Sequence, residues 1–269
     1  MAPETIDDVL DALDGVVDRA IEQRDATGYF AILYRKVTAR IKDGVEAGFF
    51  DDAERMERLD ALFAQRYLDA VEASRDGREP TASWLLTFEA GQRWRPLVLQ
   101  HLLVGINAHI NLDLGIAAAR CSPGAELPAL RPDYDRVNAI LAATVASVQE
   151  DLRRVSPWLG LLDRIGARTQ DELVRFSIVT ARSGAWRFAT DLAHTPEDAW
   201  ADAIADRDAK VARIGELVLH PGAWMSAGLL LIRVRERSDV AANLRLLSGA
   251  GEPSLETIEA AVDEPTLGS

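Results

Sequence analysis

The chain has 269 residues, 48% hydrophobic and 27% charged, a composition that suits a folded globular protein of one large domain or two small ones. A net charge of −13 and a pI near 4.8 argue against a phosphate-backbone partner, which needs a basic face, so no nucleic acid is expected. The one cysteine, Cys121, excludes an intramolecular disulfide framework and a multi-cysteine zinc site.

In chain order, "MAPETIDDVL" lacks the basic-then-apolar layout of a signal peptide, and uninterrupted apolar runs stay far short of a bilayer crossing. We therefore expect a cytoplasmic protein with no membrane span. "TIDDVLDALDGVVDRAIEQ" places Ile6, Val9, Leu10, Leu13, Val16 and Val17 on one helical stripe, with Thr5 as N-cap and Asp8 three residues on. "GYFAILYRKVTARIKDGVEAG" predicts a second helix ending near Gly44 or Gly48. A third runs through "DDAERMERLDALFAQRYLDAVEAS", opened by Asp51 or Asp52 and closed before Gly77 and Pro80. A short element around "SWLLTFEAG" precedes Pro96, which suits the first turn of a long apolar helix, "QHLLVGINAHINLDLGIAAA". "CSPGAELPALRP" predicts a loop from Cys121 to Pro132. Further helices are predicted at "DYDRVNAILAATVASVQEDLRRV", "SPWLGLLDRI", "TQDELVRFSIVTARSGAWRFATDLA", "PEDAWADAIADRDAKVARIGELVLH" and "GAWMSAGLLLIRVRER". The expected fold is all-α, a single-domain bundle of roughly eight to ten helices over 1–247, with a flexible tail over 248–269 carrying one short helical pattern, "SLETIEAAV".

The long apolar helix poses the functional question, because a core helix normally excludes polar groups that need partners. His101, Gly105, His109 and Asp113 form a ladder of i, i+4 steps, while Gln100, Asn107 and Asn111 fall on another stripe. Imidazoles and a carboxylate suit Zn²⁺, Fe²⁺ or Mn²⁺, and His109 and Asp113 stand one turn apart. His101 can join them only if the ion sits over Gly105, where a side chain is missing. Further ligands by residue type are Asp133, Asp135, Asn138 and His220. The simpler reading is a buried His109–Asp113 pair that ties helices together, and the cofactor stays open between a divalent metal and none. Asn107 and Asn111 suit a hydrogen-bond network better than a ligand set, since amides donate and accept.

Elsewhere, Asp51 and Asp52 read as a helix cap rather than a Mg²⁺–diphosphate motif. Asp60, Phe63 and Tyr67 share a helix face with Arg66 beside them, a mixed stripe that suits a pocket wall or packing. Arg182 and Trp186, one turn apart, could hold an anionic or planar ligand, or Arg182 could pair with Asp113 or Asp135. His194 reads as surface, His220 as a helix end, and Cys121 as inert. No Gly-rich phosphate loop, nucleophile elbow or zinc-protease helix motif is present.

The run "HLLVGINAHINLDL", taken with "GYFAILYRKVTARIKDGVEAGFFDDAERMERLDALFAQRYLDA", "DYDRVNAIL" and the pattern Ala181, Arg182, Ala185, Trp186, resembles a bacterial family defined as a domain of unknown function, DUF5995. The likeness covers about Thr5 to Ala193 and implies a helical fold without an activity. A second likeness is to the zinc-dependent phospholipase C and single-strand nuclease fold, which uses a helical His followed four residues later by Asp. That fold's amino-terminal Trp ligand and its other histidines have no counterpart here, so this resemblance implies one or two metals at most.

The expected function is a small-molecule enzyme with its site inside the bundle. In its most concrete form it is a metal-dependent hydrolase with His109 and Asp113 on the metal, His101 as a third ligand or a general base, and the metal activating water or polarising a substrate oxygen. Arg182 would orient an anionic group, and Asn107, Asn111, Asn138, Tyr67 and Trp186 would contact the substrate. The alternatives are a metal-free acid–base cyclase or lyase using His101 or His109, with Asp113 fixing the tautomer, and a non-catalytic helical ligand-binding protein. The expected partner is a small-molecule substrate, and a homo-oligomer is compatible with the sequence.

Overall fold

The computed structural model describes residues 2–158 and 170–249. The described residues form eleven α-helices and no strand: α1 Ile6–Gln23, α2 Gly28–Glu46, α3 Ala53–Arg75, α4 Ala82–Gly91, α5 Val98–Ala108, α6 Leu114–Cys121, α7 Leu127–Val155, α8 Gln170–Ala193, α9 Trp200–Leu219, α10 Ala223–Arg235 and α11 Val240–Ser248. The helix expected at "SPWLGLLDRI" lies mostly outside the described residues, as do "SLETIEAAV" and the tail expected to be mobile.

Local chemistry sets the helix starts. Thr5 Oγ1 accepts from the Asp8 amide at 3.1 Å while the Asp8 carboxylate accepts from the Thr5 amide at 3.0 Å, a closed capping box. Asp52 caps α3 by accepting from the Arg55 amide, and Asp239 caps α11 by accepting from the Ala242 amide. The sequence reading contains no α11; its apolar spacing of Ala241, Leu244 and Leu247 spans only two turns. Pro96 sits before the α5 N-cap, Leu97, rather than in the first turn.

The predicted Cys121–Pro132 loop is shorter than expected. α7 already begins at Leu127 and carries Pro132 inside it. A proline there removes one backbone hydrogen bond and costs ~3 kcal/mol. Burial of Leu127 and Leu130 offsets it, and so does Asp133, whose buried carboxylate accepts from the Asp51 and Asp52 amides and from Arg55 and Arg136. One acid thus joins the start of α7 to the start of α3.

Val98–Cys121 runs as one helical rod through the core, with a π-helical turn, His109–Asp113, between α5 and α6. By length and composition it could cross a membrane, with a mean hydropathy of 1.4 over its most apolar stretch, but 83% of that stretch is buried inside the fold, as in the core helix of a globular protein. α6 packs on α8 and α3, α5 on α9 and α4, and α2 lies across α5 and α7. Gly105 is where α2 comes closest: a Cβ there would stand 2.5 Å from the Phe30 ring. Gly105→Ala should therefore destabilise the fold by about 1–3 kcal/mol despite alanine's better helix propensity, lowering Tm by several degrees. Unchanged urea unfolding of that variant would show that Phe30 does not need the gap.

Candidate active site in the bundle core

The π turn places the ladder. An amide bond from Leu114 to the His109 carbonyl spans five residues instead of four, a local widening that recurs at functional sites. Asp113, fully buried, accepts from Arg66 Nε at 3.0 Å and from Trp84 Nε1 at 2.8 Å. The arginine that answers it is therefore Arg66 of α3, not Arg182. Its second oxygen lies 3.7 Å from His109 Nδ1, outside hydrogen-bond range.

His109 lies flat on Phe63, ring centroids 3.5 Å apart and planes 10° apart, with Tyr34 at 4.2 Å and Phe30 at 5.3 Å. Neither ring nitrogen has a hydrogen-bond partner. Burial pulls its pKa below the usual histidine value, against the pull of the Asp113 carboxylate, so the imidazole is neutral at pH 7.

His109 borders a cavity of about 60 Å³ between α2, α3, α7, α8 and the π turn. The walls are mostly aliphatic and aromatic, with five polar side chains among them: His109, Asp60, Tyr34, Arg182 and Tyr134, of which all but Tyr134 carry unbonded polar atoms. Six of their atoms, both His109 nitrogens, both Asp60 oxygens, the Tyr34 hydroxyl and Arg182 Nε, are buried without a hydrogen bond. Such orphan atoms each cost about 1–3 kcal/mol and are rare in folded proteins. Burial raises the Asp60 carboxyl pKa to about 7, with Glu57 adding to the rise. Burial and then Asp60 hold the Tyr34 hydroxyl well above its usual pKa, so it stays protonated. Arg182 donates through Nη2 to the Tyr134 carbonyl, receives the Tyr134 hydroxyl on its own carbonyl at 2.8 Å, and lies 4.2 Å over that ring. Asp135, its other expected partner, is bonded to Arg131 at 2.6 Å.

The remaining predicted site residues lie elsewhere. His101 stacks on Tyr29 at 5.9 Å, and burial, then Arg233, lowers its pKa to about 4. The space over Gly105 that would have let it share an ion with His109 is filled by the Phe30 ring. Asn107 donates to the Val211 carbonyl at 2.9 Å and accepts from Asn111, whose own carbonyl accepts from Arg207; Gln100 donates to the Val218 carbonyl. This stripe ties the rod to α9 rather than facing the cavity. Tyr67 is buried among Phe30, Tyr34 and Trp84, Trp186 packs tilted against Tyr134 at 4.8 Å, and Asn138 is half-buried on α7; none lines the cavity. Asp133 is taken up at the α7 start, and His220 lies at the α9 end beside Glu216. Cys121 and His194 stand as expected, buried and exposed.

The donor set does not fit a metal centre. Asp113 is bonded to Arg66 and Trp84, His101 is screened by Phe30, and among the described residues no three His, Cys, Asp or Glu side chains are grouped to hold an ion. The sequence reading noticed Asp60 only as part of a mixed stripe and passed over Tyr34. An acid among Met56, Leu59 and Phe63 on one face of α3 was the available signal.

A family model described as "Family of unknown function (DUF5995)" matches residues 6–221. No curated protein and no solved structure matches the chain.

The raised Asp60 pKa has a stability consequence. Between about pH 4 and pH 7 the unfolded chain loses this proton while the folded one keeps it, so the Asp60 contribution makes the fold less stable as pH rises through that window. Asp60→Asn should match wild type near pH 4 and exceed it at pH 8, by up to about 4 kcal/mol. Urea unfolding at both pH values checks this; a gap that does not change with pH would refute the assignment.

Proposed function

The chain belongs to the DUF5995 family, a membership that brings no activity with it, and we propose from the geometry that it is a small-molecule enzyme working by metal-free acid–base chemistry. One observation carries this reading: a neutral imidazole and a carboxyl with a pKa of about 7, both unpaired, face one apolar cavity. General acid–base catalysis asks for groups that can hold or release a proton near the working pH. Keeping them unpaired inside a core costs stability, a cost that contact with a substrate would offset.

His109 then acts as base and Asp60 as acid. The imidazole removes a proton from a substrate carbon, that electron pair forms a double bond, and the leaving group departs with the Asp60 proton. This is the lyase form of the expectation; in the cyclase form the electron pair closes a ring instead. Asp113 stabilises the imidazolium through space from 3.7 Å. Arg182, a buried cation whose partners among the described residues are a carbonyl and a ring face, binds an anionic group of the substrate. The aliphatic walls take an apolar body. The cavity has room for about four water molecules, so a substrate of ordinary size enters only as α2, α3 or α7 moves outward. The metal-dependent hydrolase gives way in this reading because Phe30 separates His101 from His109 and the Asp113 carboxylate is taken up by Arg66 and Trp84.

The test is incubation of purified protein with a soluble metabolite extract, followed by mass spectrometry. We expect wild type to deplete an anionic metabolite with an apolar body, in the presence of EDTA. His109→Gln and Asp60→Asn should slow depletion about 100-fold or more, and Arg182→Lys should raise KM more than it lowers kcat. Loss of turnover on chelation, restored by Zn²⁺, would overturn the metal-free reading. A compound held equally by wild type and His109→Gln, with no conversion, would make the protein a binding protein.

A further inference from the structure

We propose that the face built on α10 docks on an anionic lipid bilayer. This helix, "AWMSAGLLLIRVR", is apolar nearly all round, yet among its thirteen residues only Ile232 is buried. Helices of that composition are normally enclosed by protein or set against hydrocarbon. Trp224 is 94% exposed and Leu231 61% exposed, with Val234 and, at the end of α9, Leu217 exposed as well. Among the described residues, α10 packs far more thinly on its neighbours than the other helices do.

What surrounds α10 points to the occupant. Of the six tryptophans, the exposed ones are Trp94, Trp158 and Trp224, and all three meet at this helix. Arg233 donates to the Trp94 carbonyl at 2.7 Å and lies 5.2 Å over its ring, and Arg235 lies 5.0 Å over the Trp158 ring. Amphipathic rings beside arginines are the residues that settle at a membrane–water interface. The charge agrees. In a chain of net −13, "RWR" and "RVRER" bring together Arg93, Arg95, Arg233, Arg235 and Arg237. The acids beside them are Glu89, paired with Arg93; Glu236, buried at the start of α5 and paired with Arg233 at 3.5 Å; and Asp239, the α11 cap. That leaves Arg95 and Arg235 as exposed arginines with no acid bonded to them among the described residues.

A second copy of the chain answers this surface poorly. In a two-fold contact the same patch lies on both sides, so its arginines would need acids from within it, and "RWR" and "RVRER" hold no exposed unpaired acid. Lipid phosphates supply the missing negative charge, and the acyl boundary takes Trp224 and Leu231. Repulsion from the acidic remainder of the chain is screened beyond about 8 Å at physiological ionic strength. Thirteen residues rise only about 20 Å, short of a hydrocarbon core of about 30 Å, so α10 lies in the interface instead of crossing it. The corner that presents it is fixed by Gly222 at φ 94°, a conformation that favours glycine. The family match stops at residue 221, so the docking element lies outside the matched region. The proposal does not depend on the reaction inside the bundle.

Flotation of the full chain with vesicles tests it. Wild type should float with phosphatidylcholine–phosphatidylglycerol vesicles, not with phosphatidylcholine alone, and high salt should weaken the association. Trp224→Ser/Leu231→Ser should reduce binding about tenfold or more, and Arg95→Gln/Arg235→Gln should remove most of the salt dependence. The four positions are solvent-exposed, so circular dichroism should be unchanged. No flotation with either vesicle overturns the proposal, as does flotation indifferent to phosphatidylglycerol. A wild-type dimer in sedimentation equilibrium that Trp224→Ser/Leu231→Ser turns into monomer, with vesicle partition unchanged, would assign the face to a second copy instead.

Discussion

A fully buried carboxylate, Asp113, is the constraint around which the core is arranged. Removing such a charge from water costs several kcal/mol unless partners reach it, and the two that do come from separate helices, Arg66 on α3 and Trp84 on α4. That requirement fixes how α3 and α4 approach the rod. Phe63, one turn before Arg66 on α3, is brought flat against His109 by the same approach, and α2 closes over the other side where Gly105 leaves room for Phe30. The imidazole is thus gripped by ring faces, which orient it while leaving its nitrogens unbonded.

The two polar lines of the rod illustrate different uses of the same kind of residue. Gln100, Asn107 and Asn111 bond to α9 and to each other, so their desolvation is repaid within the fold. His109 is not repaid in this way, and neither are Asp60, Tyr34 and the Nε of Arg182 across the cavity. Polarity inside a core is therefore not informative by itself; whether a neighbour answers it is.

That distinction explains what the sequence could convey. The helices, the Thr5 and Asp52 caps and the importance of the His109–Asp113 turn follow from spacing along one element, and spacing is visible in a string of letters. The amide stripe was legible as a network because amides both donate and accept. Asp60 was not legible as half of a pair, since nothing local says that α3 and the π turn share a cavity. His101 looked equivalent to His109 by spacing, but Phe30, from another helix, separates them. Pro132 looked like a helix breaker because the compensation comes from Asp133 holding amides some eighty residues away.

The π turn also alters how the rod presents its two halves. An α-helix advances 100° per residue, and the wider turn at His109–Asp113 inserts about one residue of rotation. The stripe that faces α9 and α4 along α5 is therefore out of phase with the stripe that faces α3 and α8 along α6. A periodicity summed over all of Val98–Cys121 partly cancels, and the segment looks uniformly greasy from its letters alone. Both halves are buried on nearly every side, α6 most of all, so the slip changes which neighbours each half faces, and it falls on the turn that carries the imidazole.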